Sequence, residues 1–206
     1  MPDRNPGSFR PPEEPAIFFN PKVETAKVEG AFLPHWSQGG TVVFVTFRLA
    51  DSLPQEKVRA LAKEKEEWLK EHPEPHDEEQ KAEFYRLFSA RLQRWLDAGY
   101  GSMILARHPV KGIVEEALRH FDGVRYHLDE FAVAANHVHV LMAPKAGFTI
   151  PAILHSWKSF TAKEILNTLR AGGMKMPPTV WQQESWDHLV RSEHSLEKFR
   201  KYIRKH

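Results

Sequence analysis

Two histidines, His137 and His139, stand one residue apart in the run Asn136-His-Val-His-Val-Leu-Met-Ala-Pro144. In a β-strand, residues i and i+2 share a face, so both imidazoles project together while Val138 and Val140 turn to the other side. Two imidazoles so placed can bind one divalent ion. They can equally cover the exposed face of a half-buried strand, and the spacing alone does not separate these readings. The chain has no cysteine, which leaves His, carboxylate, amide and water as metal ligands. Carboxylates are sparse around the pair in sequence: Glu130 lies seven residues before it, and the next acid after it is Glu164. Metal sites that activate water for phosphate hydrolysis usually draw on such ligands, so that chemistry ranks low. The other reactive groups are the four tyrosines. A phenol with a pKa of about 10 needs a cation or a base beside it to attack as phenolate.

The elements that must position these groups read as an α+β domain. Thr41-Val-Val-Phe-Val-Thr-Phe-Arg-Leu49 is a largely buried strand. Ser52-Leu-Pro54 opens a helix from Gln55 to about Glu71, which His72-Pro-Glu-Pro75 ends. A second helical run, about Glu78 to Ala98, aligns Phe84, Leu87, Phe88, Leu92 and Trp95 on one stripe. Residues 54–98 therefore form a helical hairpin inserted into the sheet core. Ser102–Ala106 suits a short peripheral strand, and Pro109 opens a helix reaching Phe121. Arg125–Ala134 and His137–Ala143 pair about Ala135-Asn136, and Ile150–Leu169 is an amphipathic helix stopped by Gly172-Gly173. Ser185–Arg191 is the last strand, and Ser195 caps a terminal helix. This order is the ferredoxin-like pattern, an antiparallel sheet with helices packed on one face. Residues 1–30, with Pro2, Pro6, Pro11, Pro12, Pro15 and Pro21, form an extended arm, and residues 31–206 a single domain.

With 41% hydrophobic and 27% charged residues, the 206-residue chain can bury one full core. The N-terminus lacks the apolar segment of a signal peptide, and no apolar run approaches the ~18 residues that span a bilayer, so a cytoplasmic protein without membrane contact is expected. A net charge of +2 says little about partners, but its distribution says more. Between Ala50 and Tyr100 there are 9 Lys/Arg and 12 Asp/Glu, whereas Lys145–His206 holds 11 and 5. A polyanion would dock at that basic end. Lys158, Lys163 and Arg170, on the helix after the histidines, can meet phosphates or form a solvated face. Trp36, Trp157, Trp181 and Trp186 can stack on unpaired bases, although most are expected in the core.

The histidine run is similar to the His-hydrophobe-His box of the single-tyrosine HUH transposases, the family that includes the REP-associated tyrosine transposases. Four further segments resemble that family in its order: Leu33-Pro-His-Trp36, Val45-Thr-Phe-Arg-Leu-Ala-Asp-Ser-Leu-Pro54, Ile153-Leu-His-Ser-Trp-Lys-Ser-Phe-Thr-Ala162 and Trp181-Gln-Gln-Glu-Ser-Trp-Asp-His-Leu-Val-Arg191. The resemblance runs from Leu33 to the C-terminus. It implies that Tyr202, in Phe199-Arg-Lys-Tyr-Ile-Arg-Lys-His206, is the nucleophile, and that His137 and His139 hold Mg²⁺ or Mn²⁺. It further implies cleavage and joining of single-stranded DNA at hairpin-forming repeats through a 5′-phosphotyrosine, by a monomer or a homodimer. The family's third ligand is an Asn or Gln four residues after the tyrosine; His206 occupies that position here. That departure leaves open a hairpin-binding protein of weak catalytic activity. Asp187, His188 and Arg191 match a family hallmark. From the residue types, the carboxylate can orient the imidazole or hold Arg191, in a supporting role, with Arg191 also a candidate for DNA contact.

Overall fold

The computed structural model describes residues 17–20, 22–23, 26–28, 35–73 and 77–206. Along the chain run β1 (Ala26–Val28), β2 (His35–Ser37), β3 (Val43–Arg48), α1 (Gln55–Glu71), α2 (Glu78–Phe84), a π-helical turn (Tyr85–Ser89) and α3 (Ala90–Asp97). They are followed by α4 (His108–His120), β4 (Tyr126–Val133), β5 (His137–Pro144), α5 (Ile150–Ala171), β6 (Trp186–Leu189) and α6 (Glu193–Ile203). β1 and β2 form a separate two-stranded ribbon, and the centre is a four-stranded antiparallel sheet in the order β4-β5-β3-β6. The architecture is thus α+β, as the sequence predicts. Most of the expected N-terminal arm, and the Trp36 and Tyr85 side chains, lie outside what is described. Two described segments of the arm differ: Ile17 and Phe19 join the sheet, Val42 N–H donating to the Ile17 carbonyl and Phe19 N–H to that of Val190, both at 2.9 Å, whereas Ala26–Val28 form β1 of the ribbon.

β3 and β5 lie at the middle of the sheet and are buried along both faces, so both faces are covered. On one side Val43, Val45, Phe47, Val138, Val140 and Met142 pack with α4 and α5, including Val114, Leu118, Ile153 and Trp157. On the other, Phe44 and Leu141 pack with Leu196, Phe199, Tyr202 and Ile203 of α6. The expectation of one helical face therefore holds for α4 and α5, while α6 covers the opposite face. No helix among the described residues is long and apolar enough to cross a membrane.

A bulge in β4 secures α6. The β4–β5 register jumps between Leu128 and Glu130, leaving Asp129 as the extra residue. Asp129 and Glu130 thereby both reach α6, where one residue of simple alternation would have turned away. Arg200 donates from Nε and Nη2 to Asp129 at 2.7–3.1 Å, and Arg204 from Nε and Nη2 to Glu130 Oε1 at 2.8 and 2.6 Å.

Two local expectations change. Ser102–Ala106 holds a 3₁₀ turn, Ile104–Ala106, instead of a strand. Its apolar run is too short for pattern to distinguish the two, and Ile104 and Leu105 are buried beside the sheet edge as a turn. The cap of α6 is Ser192, whose Oγ accepts from Ser195 N–H at 3.2 Å, so the helix starts earlier than a Ser195 cap allows.

The two clamps on α6 differ in burial, and their loss should differ accordingly. Asp129→Ala leaves Arg200 short of a carboxylate in a setting where both partners are nearly buried, and should cost about 3 kcal/mol. Glu130→Ala, opposite the exposed Arg204, should cost less than about 1 kcal/mol. Urea denaturation of the two variants checks the difference.

Candidate active site

β5 turns His137, His139 and Leu141 to the α6 side, and the register sets His139 opposite Thr46 and His137 opposite Arg48. Both imidazoles are buried, at 1% and 0% exposure. Burial, with His206 nearby, pushes His137 down to about 4. Burial, with His137 and His206, also holds His139 well below its ordinary value. Each ring is neutral at pH 7 and keeps a lone pair for a cation.

Hydrogen bonds decide where that lone pair points. The Asn136 Nδ2 donates to the carbonyls of Leu96 and Tyr100, at 3.2 and 3.0 Å, so its Oδ1 faces His137 Nδ1 at 2.7 Å. An amide oxygen only accepts, so Nδ1 of His137 carries the proton and Nε2 is a bare lone pair. His139 Nδ1 meets Thr46 Oγ1 at 2.8 Å, a hydroxyl that can accept as well as donate. The two Nε2 atoms then face each other at 2.9 Å. Adjacent ligands of an octahedral ion at about 2.1 Å stand about 3 Å apart, so this pair fits one metal ion.

Tyr202, on the α6 face toward the sheet, has its ring 5.0 Å from that of His139, edge to face, and its hydroxyl is shielded from solvent. His206 follows in the turn closing α6, its N–H donating to the Ile203 carbonyl at 3.1 Å, and its ring lies 5.1 Å from His139 and 4.9 Å from Tyr202. The residues named on resemblance thus meet at one end of one sheet face. Asp97, the last residue of α3, joins them: its Oδ1 is 3.9 Å from His137 Nε2 and 3.7 Å from His206 Nε2. Ligand atoms of Asp97, His137, His139 and His206 all fall within 4.8 Å of one another. Nothing in the sequence marks Asp97, forty positions before His137, whereas Asn136 sits beside the histidines and was open to notice. No sequence pattern marks Arg48 as part of the site either. Buried beside His137, it lines with Thr46, Lys65, Phe88, Glu184 and Trp186 a cleft of about 120 Å³ between the inserted hairpin and the sheet.

The remaining candidates are arranged differently. Lys163 and Arg170 are exposed on α5, which covers the sheet face opposite the histidines. Lys158, on the same helix, donates from Nζ to the carbonyls of Gln182, Gln183 and Glu184 at 3.0–3.4 Å, so it ties down a loop and is not presented to a phosphate. Asp187 and His188 are consecutive in β6 and therefore point to opposite faces, which removes the side-by-side pairing inferred from their adjacency. His188 lies among Trp186 and Phe199, with ring centroids at 5.8 and 5.5 Å. Arg191 is exposed, with its guanidinium 5.3 Å from the Phe19 ring. Trp157 and Trp181 are core residues at 2% and 6% exposure, whereas Trp186 is half-buried on the active face. Tyr126 is fully buried and donates to the Leu118 carbonyl, on the far side from the histidines.

Burial, reinforced by Arg191 and opposed by Asp187, pushes His188 down to about 4. Because the folded value lies below the unfolded one of about 6.5, His188 begins to oppose folding as pH falls below about 6.5 and continues to about 4, at up to about 1.4 kcal/mol per pH unit. His188→Phe should therefore lose about 2 kcal/mol less stability than the parent between pH 7 and pH 5, measured by urea denaturation with chelator present.

No curated protein matches the chain at a significant level. Two solved structures align with most of it. One is a REP-associated tyrosine transposase bound to a REP hairpin, 12% identical, with 86% of this chain and 70% of that one covered and a TM-score of 0.38. The other is a candidate transposase from Deinococcus radiodurans R1, 11% identical, with 91% and 95% covered and a TM-score of 0.41. Residues 105–206, which carry His137, His139, Tyr202 and His206, match the family model described as Transposase IS200 like, a family of DNA transposases.

Proposed function

We propose that this protein cleaves single-stranded DNA and transfers the cut end through a 5′-phosphotyrosine on Tyr202, at hairpin-forming or REP-like sequences. The observation that carries this reading is the convergence of Tyr202, His137, His139 and His206 on one end of the α6-covered sheet face. His137, His139 and His206 would hold a divalent ion, Mg²⁺ or Mn²⁺, which supplies Lewis acidity to a non-bridging phosphate oxygen. Tyr202 attacks the phosphorus: its Oη–P bond forms as the phenol gives up its proton, and the P–O3′ bond breaks as the departing oxygen takes one. The phosphate stays on the 5′ end of the strand downstream of the cut, and the upstream strand ends in a 3′ hydroxyl. A 3′ hydroxyl from another end reverses both steps, so joining consumes no nucleoside triphosphate. Arg200 and Arg204, anchored on Asp129 and Glu130, fix α6 against β4 and with it the position of Tyr202. Arg48, Lys65 and Glu184 are the charged side chains of the adjoining cleft, whose walls are otherwise mainly apolar.

Incubation of the protein with a hairpin oligonucleotide and Mn²⁺ should yield a denaturant-resistant protein–DNA adduct. Tyr202→Phe should abolish it while hairpin binding persists, and chelation should abolish it reversibly. An adduct retained by Tyr202→Phe would remove Tyr202 from the role. Hairpin binding with no adduct at any metal concentration would make the chain a binding protein.

Asp97 favours a second reading, since it gives the histidines the carboxylate that their sequence surroundings lack. In that case water activated at the Asp97, His137, His139 and His206 cluster, not Tyr202, would be the nucleophile. Multiple-turnover release of free 5′-phosphate ends, unaffected by Tyr202→Phe, would decide for it.

A further inference from the structure

We propose that Asp97 is a fourth metal ligand and that metal binding at this site fastens the inserted helical hairpin onto the active face of the sheet. The inference rests on the metal site of the preceding section and adds to it a ligand from an element outside the sheet and outside residues 105–206.

Three observations support it. Asp97 Oδ1 is 3.9 Å from His137 Nε2 and 3.7 Å from His206 Nε2. Both separations are too long for direct hydrogen bonds and fall within the span of about 4.2 Å that ligand atoms around one small cation can cover. Second, Asp97 ends α3, where a carboxylate faces the negative end of the helix dipole. α6 also ends beside the site, at Ile203. A cation placed there answers both helix termini and the carboxylate, an arrangement that is unfavourable without it. Third, the position of Asp97 is held by the histidine strand itself. Asn136, whose Oδ1 orients His137, donates to the carbonyl of Leu96, the residue before Asp97, and to that of Tyr100. One amide thus registers the first histidine and the end of the hairpin together.

The donor set also has a chemical consequence. Three imidazoles and one carboxylate suit Mn²⁺ or a later transition ion better than Mg²⁺, which prefers oxygen ligands and retained water. The hairpin is otherwise joined mainly to itself, through the Arg91–Glu64 pair and the packing of Trp68 with Phe84 and Phe88. A bond from the ion to Asp97 would tie it to β5 at the point where the cleft of Arg48 and Lys65 opens.

The test uses the full chain, titrated with MnCl₂ and MgCl₂ by calorimetry, and followed by hydrogen exchange with and without Mn²⁺. The parent should bind Mn²⁺ at least about tenfold more tightly than Mg²⁺. Asp97→Asn, which is nearly isosteric at a half-exposed position, should weaken Mn²⁺ binding by about tenfold or more. Glu71→Gln, an exposed change on the same hairpin, should leave it unchanged and so exclude a general charge effect. At a hundred times the Kd, Mn²⁺ should slow exchange across α3 by about tenfold or more in the parent and have little effect there in Asp97→Asn. Unchanged Mn²⁺ affinity in a folded Asp97→Asn, verified by circular dichroism, would overturn the proposal, as would exchange across α3 that ignores Mn²⁺ in the parent. The DNA adduct assay keeps this separate from the broader reading. Lost Mn²⁺ affinity in Asp97→Asn without any adduct from the parent upholds the ligand and sinks the strand transferase. Adducts from the parent together with unchanged affinity in the variant do the reverse.

Discussion

β3 runs antiparallel to β5 with both strands walled in on each face, and from that pairing nearly every functional position follows. A strand buried on one side can tolerate a polar residue by turning it to water. Here the side that carries Thr46, His137 and His139 is itself covered, by Phe44, Leu141 and α6. A buried imidazole must be neutral and hydrogen-bonded, and the structure meets both demands through Asn136 and Thr46. The same bonds that make burial tolerable aim the two Nε2 atoms at each other. Folding and site assembly are, at this point, one arrangement.

The position of Tyr202 depends on a different device. α6 has a narrow apolar stripe, Leu196, Phe199 and Ile203, that seats it on Phe44, with the Phe199 ring stacked at 4.4 Å. Apolar packing alone would let such a short helix slide. The bulge at Asp129 prevents this by putting two consecutive acids within reach of Arg200 and Arg204, one helical turn apart and on either side of Tyr202. The phenol is thus held in register by charges on an edge strand, while the histidines are held by a central one.

The helical hairpin between β3 and α4 adds what the sheet lacks. It closes a cleft beside Arg48 and brings Asp97 to the histidines. Its long helical run is interrupted by the π-helical turn Tyr85–Ser89, which inserts an extra residue before α3 and so rotates the face that α3 presents downstream. That rotation is invisible to a regular 3.6-residue pattern, and it bears on where Asp97 ends up.

From the sequence by itself came the α+β class, the inserted hairpin, the strands on either side of Ala135-Asn136, and the shared face of His137 and His139. All of these rest on local periodicity, which a single segment carries in full. Local pattern misled at Ile104–Ala106, where three apolar residues are too few to show a period, and at the α6 cap, where Ser192 and Ser195 are equally good candidates by type. It also misled at Asp187-His188, where neighbours in sequence are opposites in a strand. Lys158, Lys163 and Arg170 looked alike as cations on one helix. Tertiary structure separated Lys158, half-buried and bonded to three carbonyls, from two that face solvent behind the sheet. The meeting of Asp97 with His137 and of Tyr202 with His139 was likewise decided in three dimensions, because it depends on which face α6 covers and on how the hairpin returns. Those are outcomes of packing between segments far apart in the chain, and no segment carries that information alone.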